Sequence, residues 1–182
     1  MKNDDRTIEA VSNLMNLWHK AGYDATQYVG TMLYVMCLKK MIDDNACTDS
    51  DYMGIILDLT KNLYRPTNTD SIEALRKGSE VLEVTYSLRQ GLLQDVLNPA
   101  RCQEEQWKKV FLTVVSTIAE FDNYGELARY MLYKISSFRG NEKVSSYTVA
   151  ELLRIAANVK DGDSVLDGTV GYGYSAMECI RG

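Results

Sequence analysis

Apolar residues return every three to four positions through most of this chain, which is the period of an α-helix with one buried side. From Ile8, the series Val11, Leu14, Met15, Leu17 and Trp18 predicts a first helix, with Asp4, Asp5 and Thr7 as candidate caps and Gly22 as its stop. Asp24 is placed to cap a second, in which Tyr28, Met32, Val35, Met36, Leu38 and Ile42 occupy much of the circumference and predict a central helix. After the turn-forming DNACTDSD, Met53, Ile56, Leu57 and Leu59 predict a third. RPTNTD, from Arg65 to Asp70, reads as a loop. Asp70 and Glu73 have the spacing of a capping box ahead of a helix that carries Ile72, Leu75, Val81, Leu82 and Val84. Leu88, Leu92, Leu93, Val96 and Leu97 form a further buried stripe that Asn98 and Pro99 close. A helix from about Gln103 to Phe121 turns Trp107, Val110, Phe111, Val114, Val115 and Ile118 inward, and Tyr124 to Ser137 repeats the pattern.

The pattern changes in SSFRGNEKVSSYT, Ser136 to Thr148, where Gly140, Asn141 and four serines give linker composition. Beyond it, Val149 to Val159 predicts an amphipathic helix with Leu152, Leu153, Ile155 and Ala156 inward. Thr148 and Glu151 have capping-box spacing there. KDGD then turns the chain into SVLD, a short buried strand in which Val165 and Leu166 suit β-structure. Asp167 stands at the strand's end, Gly171 and Gly173 follow at DxxxGxG spacing, and SAMECI can begin a helix. Glycine lets backbone approach a ligand closely, so strand, acid, glycine turn and helix describe the opening of a nucleotide-type α/β site. An ordinary strand end and turn is the alternative reading of the same residues. GYGYSA also satisfies GxGxxA of dinucleotide folds, but there the glycines begin directly at the strand end, and here Asp167 and Gly171 are four positions apart. The expected fold is mainly α: an all-helical bundle domain over 1–137, a linker over 138–148, and over 149–182 the truncated start of a Rossmann-like α/β domain.

Composition narrows the function. Twenty Lys and Arg against 25 Asp and Glu leave a net charge of −5, which argues against wrapping nucleic acid by bulk electrostatics while allowing a local basic patch. Arg129, Lys134, Arg139 and Lys143 are the one such bias, read as a solvated face or as phosphate contacts. Cys37, Cys47, Cys102 and Cys179 are dispersed and His19 has no evident partner, so neither a metal site nor a disulfide framework is predicted. The amino terminus is polar and acidic, and no apolar run approaches the roughly 20 residues of a membrane span. A cytoplasmic location with no membrane partner is expected.

DATQYVGTMLYVMCLKKMID resembles an early helix of type I restriction-modification DNA methyltransferase subunits, with its DxxxY start and lysine-acid end. SSYTVAELLRIA is similar to that family's aromatic-Thr-Pro segment, and DGTVGYGYSAME to its first cofactor motif, commonly DPxCGSGGF. Val149 stands in place of the usual proline, Gly168 of a second proline, Val170 of cysteine and Tyr174 of the third glycine. The resemblance implies a SAM-dependent adenine-N6 methyltransferase domain, with Tyr147, Thr148, Asp167, Gly171 and Gly173 at the S-adenosylmethionine site. It implies DNA and a specificity subunit as partners, with a restriction subunit in the assembly. The family's catalytic Asn-Pro-Pro-Tyr type tetrapeptide is absent from this sequence, so no catalytic residue is assigned. The competing expectation is a helical interaction or adaptor module whose glycine-rich tail is incidental.

Overall fold

The computed structural model describes residues 5–67, 69–97, 101–122, 124–138, 147–160, 162–168, 175–176 and 179, without the side chains of residues 26, 69, 135–138, 147 and 148. These contain seven α-helices: α1 (Asp5–Lys20), α2 (Ala25–Asp43), α3 (Met53–Tyr64), α4 (Thr69–Thr85), α5 (Glu105–Ala119), α6 (Tyr124–Phe138) and α7 (Tyr147–Ala157). Two 3₁₀ turns, Ser50–Tyr52 and Arg101–Gln103, precede α3 and α5. There is no strand among the described residues, and no described helix is long and apolar enough to cross a membrane. The chain divides into two compact units, one of Ser12–Tyr124 and one of Met1–Val11 with Gly125–Gly182.

In the Ser12–Tyr124 unit, α3 and α4 form a hairpin and α2 packs against α3, α4 and α5. Helix α2 is buried on several sides at once, through Tyr28, Met32, Tyr34, Val35, Met36, Leu38 and Met41, as its near-continuous apolar sequence predicts. Its start is a reciprocal cap: Gln27 N–H donates to Asp24 Oδ1 at 3.2 Å and Asp24 N–H donates to Gln27 Oε1 at 2.9 Å. Three helices end alike, in Schellman motifs. The residue past the helix takes positive φ, 84° at Gly22, 49° at Asn45 and 52° at Ser87. The following amide reaches back, Tyr23 to the Trp18 carbonyl, Ala46 to Met41 and Leu88 to Glu83.

The close approach of α4 to its neighbours is set by Gly78. A Cβ there would lie 2.5 Å from Leu38 Cδ2 and 3.1 Å from Leu59 Cδ2. One turn away the Tyr34 hydroxyl donates to the Leu75 carbonyl at 2.7 Å, fixing α2 against α4. At the other end of the unit Trp18 stacks on Tyr28 (centroids 5.7 Å apart, planes 3° apart) and leans on Trp107, which stacks on Phe111 at 4.7 Å. The predicted inward residues of α5 are all buried except Val110, which is half-buried.

Several expectations are corrected here. Residues 88–97 form turns instead of a buried stripe, with Leu88 and Leu92 exposed and Leu97 alone of the five fully buried. The cause is Glu83, whose buried carboxylate accepts the Gly91 N–H at 2.7 Å and the Leu93 N–H at 2.6 Å, so the chain wraps around the end of α4 and does not restart a helix. On α3 the buried residues are Leu59 and Leu63, while Met53 and Leu57 face out. Val84 of α4 is also exposed. Helix α4 begins at Thr69, so Asp70 falls inside its first turn, where the Thr67 N–H donates to Ser71 Oγ at 3.1 Å.

In the other unit, Leu127, Met131 and Leu132 of α6 are buried, and Arg129 is buried in an ion pair with Glu126 at 2.6 Å. Arg129 therefore does not belong to a solvated basic face, and Arg139 and Lys143 lie outside the described residues. Among the described side chains of α7 only Ala150 is fully buried, whereas Leu152, Leu153 and Ile155 are 58%, 53% and 58% exposed. The face predicted to pack inward is thus open. Residues 163–167 carry no regular structure, with Val165 half-exposed and Leu166 almost fully so. A buried strand was expected at this point. A lone strand with no neighbour to take its N–H and C=O groups is not stable by itself.

Candidate functional site

A concave surface of the Ser12–Tyr124 unit runs along one face of α2. Gln27, Gly30, Tyr34, Cys37 and Lys40 recur at helical spacing and form its floor over about 20 Å, at the ~1.5 Å rise of a helix. The carboxyl end of α4 and the 86–97 turns form its far wall. The larger part is a cavity of about 500 Å³ between Leu33, Leu82, Tyr86, Leu88 and Leu93. A second cleft of about 360 Å³ shares Gly30 and Val96 with it and is polar, lined by Gln27, Thr31, Asp95 and Arg101. The two make one trough, apolar at one end and charged at the other.

The wall is held in place by the Schellman turn at Ser87 and by the carboxylate of Glu83, which ties Gly91 and Leu93 down. Thr31 Oγ1 donates to the Val96 carbonyl at 3.3 Å, and Arg101 Nη1 donates to the Gln27 carbonyl at 3.4 Å, so both clefts are braced to α2. Within the larger cavity the Tyr34 hydroxyl is already committed to Leu75, and burial pushes its pKa far up. Lys40 is held by Asp44 at 2.5 Å. Cys37 opens onto the trough, and desolvation by its surroundings pushes its thiol pKa up.

A second cluster lies on the neighbouring face of α2. Lys39 is buried, donates to Asp43 Oδ2 at 2.7 Å and to the Tyr64 hydroxyl at 3.2 Å, and lies over the rings of Tyr64 and Tyr124 at 5.1 and 5.4 Å. The Tyr64 hydroxyl in turn donates to Asp43 Oδ1. Burial alone lowers the Lys39 pKa, but its hydrogen bonds to Asp43 and Tyr64 more than offset this and the net shift is upward. A cation fixed in this way is a cross-link between α2 and α3, without the depressed pKa of a catalytic lysine.

The residues predicted from sequence as a cofactor site are elsewhere. Tyr147 and Thr148 form the first turn of α7, so Thr148 stands within the helix and not ahead of it as a cap. Asp167 is half-buried in the irregular segment after α7, beside the exposed Gly168. Gly171 and Gly173 lie outside the described residues. No group of three or more His, Cys, Asp or Glu among the described residues is arranged to hold a metal ion. The trough leaves no mark in the hydrophobic periodicity of the chain. Its one local signal is Gly30, a glycine in the middle of a long apolar helix.

No family model matches the chain, and no curated protein or solved structure matches it either.

Proposed function

We propose that the chain is the amino-terminal helical region of a SAM-dependent DNA adenine-N6 methyltransferase of the type I modification-subunit kind, acting with DNA and a specificity subunit. The observation that carries this reading is the open apolar surface of α7 and the segment after it. Leu152, Leu153, Ile155, Val165 and Leu166 are all about half or more exposed. They fall where the sequence resembles the opening of the family's cofactor domain. A helix that starts an α/β domain buries such a face on a parallel sheet, and a strand such as Ser164–Asp167 becomes regular only when paired within one.

On this reading the half-buried Asp167 carboxylate offers acceptors to the methyl donor's ammonium or hydroxyl groups. Open space beyond Gly168, where an added Cβ would meet nothing within 4 Å, leaves room for a ligand beside it. Gly171 and Gly173 are assigned to the same ligand by the DxxxGxG spacing of the sequence alone. When bound, S-adenosylmethionine supplies the methyl group. This chain's own residues bind and orient it, and the catalytic tetrapeptide is not among them.

The test is methyl transfer from labelled S-adenosylmethionine to duplex DNA by the protein at its full natural length with its specificity subunit. Label on adenine N6 is expected, with Asp167→Ala weakening donor binding at least tenfold at unchanged helical content. Failure of the wild-type assembly to bind the donor or label DNA overturns the reading and leaves a helical interaction module.

A further inference from the structure

The trough along α2 has a feature that packing does not explain. A glycine inside a helix destabilises it by about 0.5–1 kcal/mol relative to alanine, and is retained where the backbone must approach something closely. Gly78 meets that condition, because a Cβ would strike Leu38. Gly30 does not: a Cβ there would meet nothing within 4 Å, and the empty space belongs to the trough, at the point where its two halves join. Any larger side chain at Gly30 would project into the trough and divide it.

We propose that the trough is a binding site for an elongated amphiphilic small molecule. Its apolar body lies between α2 and the 86–97 wall, and its hydrogen-bonding head lies between Asp95 and Arg101. The volume of about 500 Å³ for the body is within the range of small-molecule sites. The two ends differ as such a ligand requires. In the large cavity the Tyr34 hydroxyl and the Lys40 ammonium are already partnered, so that end rewards burial of carbon. In the smaller cleft Arg101 makes one long bond to Gln27 and keeps further guanidinium donors, while the exposed Asp95 supplies acceptors. The head therefore both donates and accepts, as a primary amide or a zwitterion does. The wall opposite α2 is preformed, because Glu83 holds Gly91 and Leu93. The site is independent of any methyl-donor site around Asp167.

The test uses the full chain with N-phenyl-1-naphthylamine, an apolar fluorescent probe, and decanamide as an amphiphilic competitor. Saturable probe enhancement at micromolar concentration is expected, with displacement by decanamide. Gly30→Leu should weaken probe binding at least tenfold while leaving the thermal midpoint unchanged or higher, since leucine improves the helix and its Cβ meets no neighbour within 4 Å. Arg101→Ala should weaken decanamide several-fold and leave the probe unaffected. Absence of enhancement, or enhancement that persists in Gly30→Leu, overturns the proposal. Persistence in Gly30→Leu with loss in the Leu152→Ser/Leu153→Ser variant assigns the probe to the α7 face instead. Equal decanamide affinity in Arg101→Ala overturns the placement of the head.

Discussion

Helices α5 and α7 carry the same kind of sequence and meet opposite fates. In α5 the apolar positions Trp107, Phe111, Val114, Val115 and Ile118 are at most 1% exposed, whereas in α7 Leu152, Leu153 and Ile155 are more than half exposed. Periodicity therefore establishes that a segment is helical and which face is apolar, but burial depends on a partner surface. A free-energy difference follows directly, because α5 withdraws its large apolar side chains from water and Leu152, Leu153 and Ile155 of α7 stay in it.

The largest expected effect tests that contrast. Phe111→Ala removes a fully buried ring stacked on Trp107 and should cost about 3–5 kcal/mol in denaturant unfolding, while Leu152→Ala should stay within about 0.5 kcal/mol. A comparable loss in both would show that the α7 face is covered in solution. Next in size is Glu83→Ala, which strands the Gly91 and Leu93 amides. A loss of about 2–3 kcal/mol is expected, with faster hydrogen exchange across residues 88–97 and none of that acceleration in α7.

A pair of glycines sharpens the comparison further. Gly78→Ala forces a Cβ against Leu38 and should destabilise by about 1–3 kcal/mol, whereas Gly30→Ala should stabilise by about 0.5–1 kcal/mol. Equal signs in thermal melts would mean that α4 is free to withdraw from α2, or that the space at Gly30 is already filled. The smallest effect is alkaline. Burial, and then the hydrogen bond donated to Glu104, push the Tyr23 phenol up to about 12. Since its folded pKa lies above its unfolded value near 10, the stabilisation is complete below pH 10 and is lost as pH rises from 10 through 12. Tyr23→Phe should flatten that part of the urea-midpoint profile.

Local chemistry was the legible part of the fold. Asp24 capping α2, Gly22 ending α1 and the inward face of α5 follow from short-range patterns. The errors share a different cause. The Leu88–Leu97 stripe satisfies helical spacing, but Glu83, a residue of the preceding helix, captures its amides, and no local pattern registers a bond that reaches eight to ten residues. The spacing of Met53, Ile56, Leu57 and Leu59 predicts α3, but which arc of a helix is covered is settled by its neighbour, and on α3 the buried residues are Leu59 and Leu63. The trough was illegible for the same reason: it is a gap between α2, α4 and a turn far apart in sequence, and only Gly30 marks it. Asp167 closes the apolar pair Val165 and Leu166 in sequence, but its surroundings depend on what pairs with those two residues.

The aromatic cluster has a spectroscopic consequence. Trp18 and Trp107 are the chain's only tryptophans, and their rings lie 5.9 Å apart inside the Ser12–Tyr124 unit. Their emission will shift to longer wavelength when that unit opens and will stay silent while α7 melts. Far-ultraviolet circular dichroism, by contrast, sums over all seven described helices. Heating the chain while both signals are followed thus clocks the two units separately, and the temperature gap between the transitions measures how strongly their unfolding is coupled.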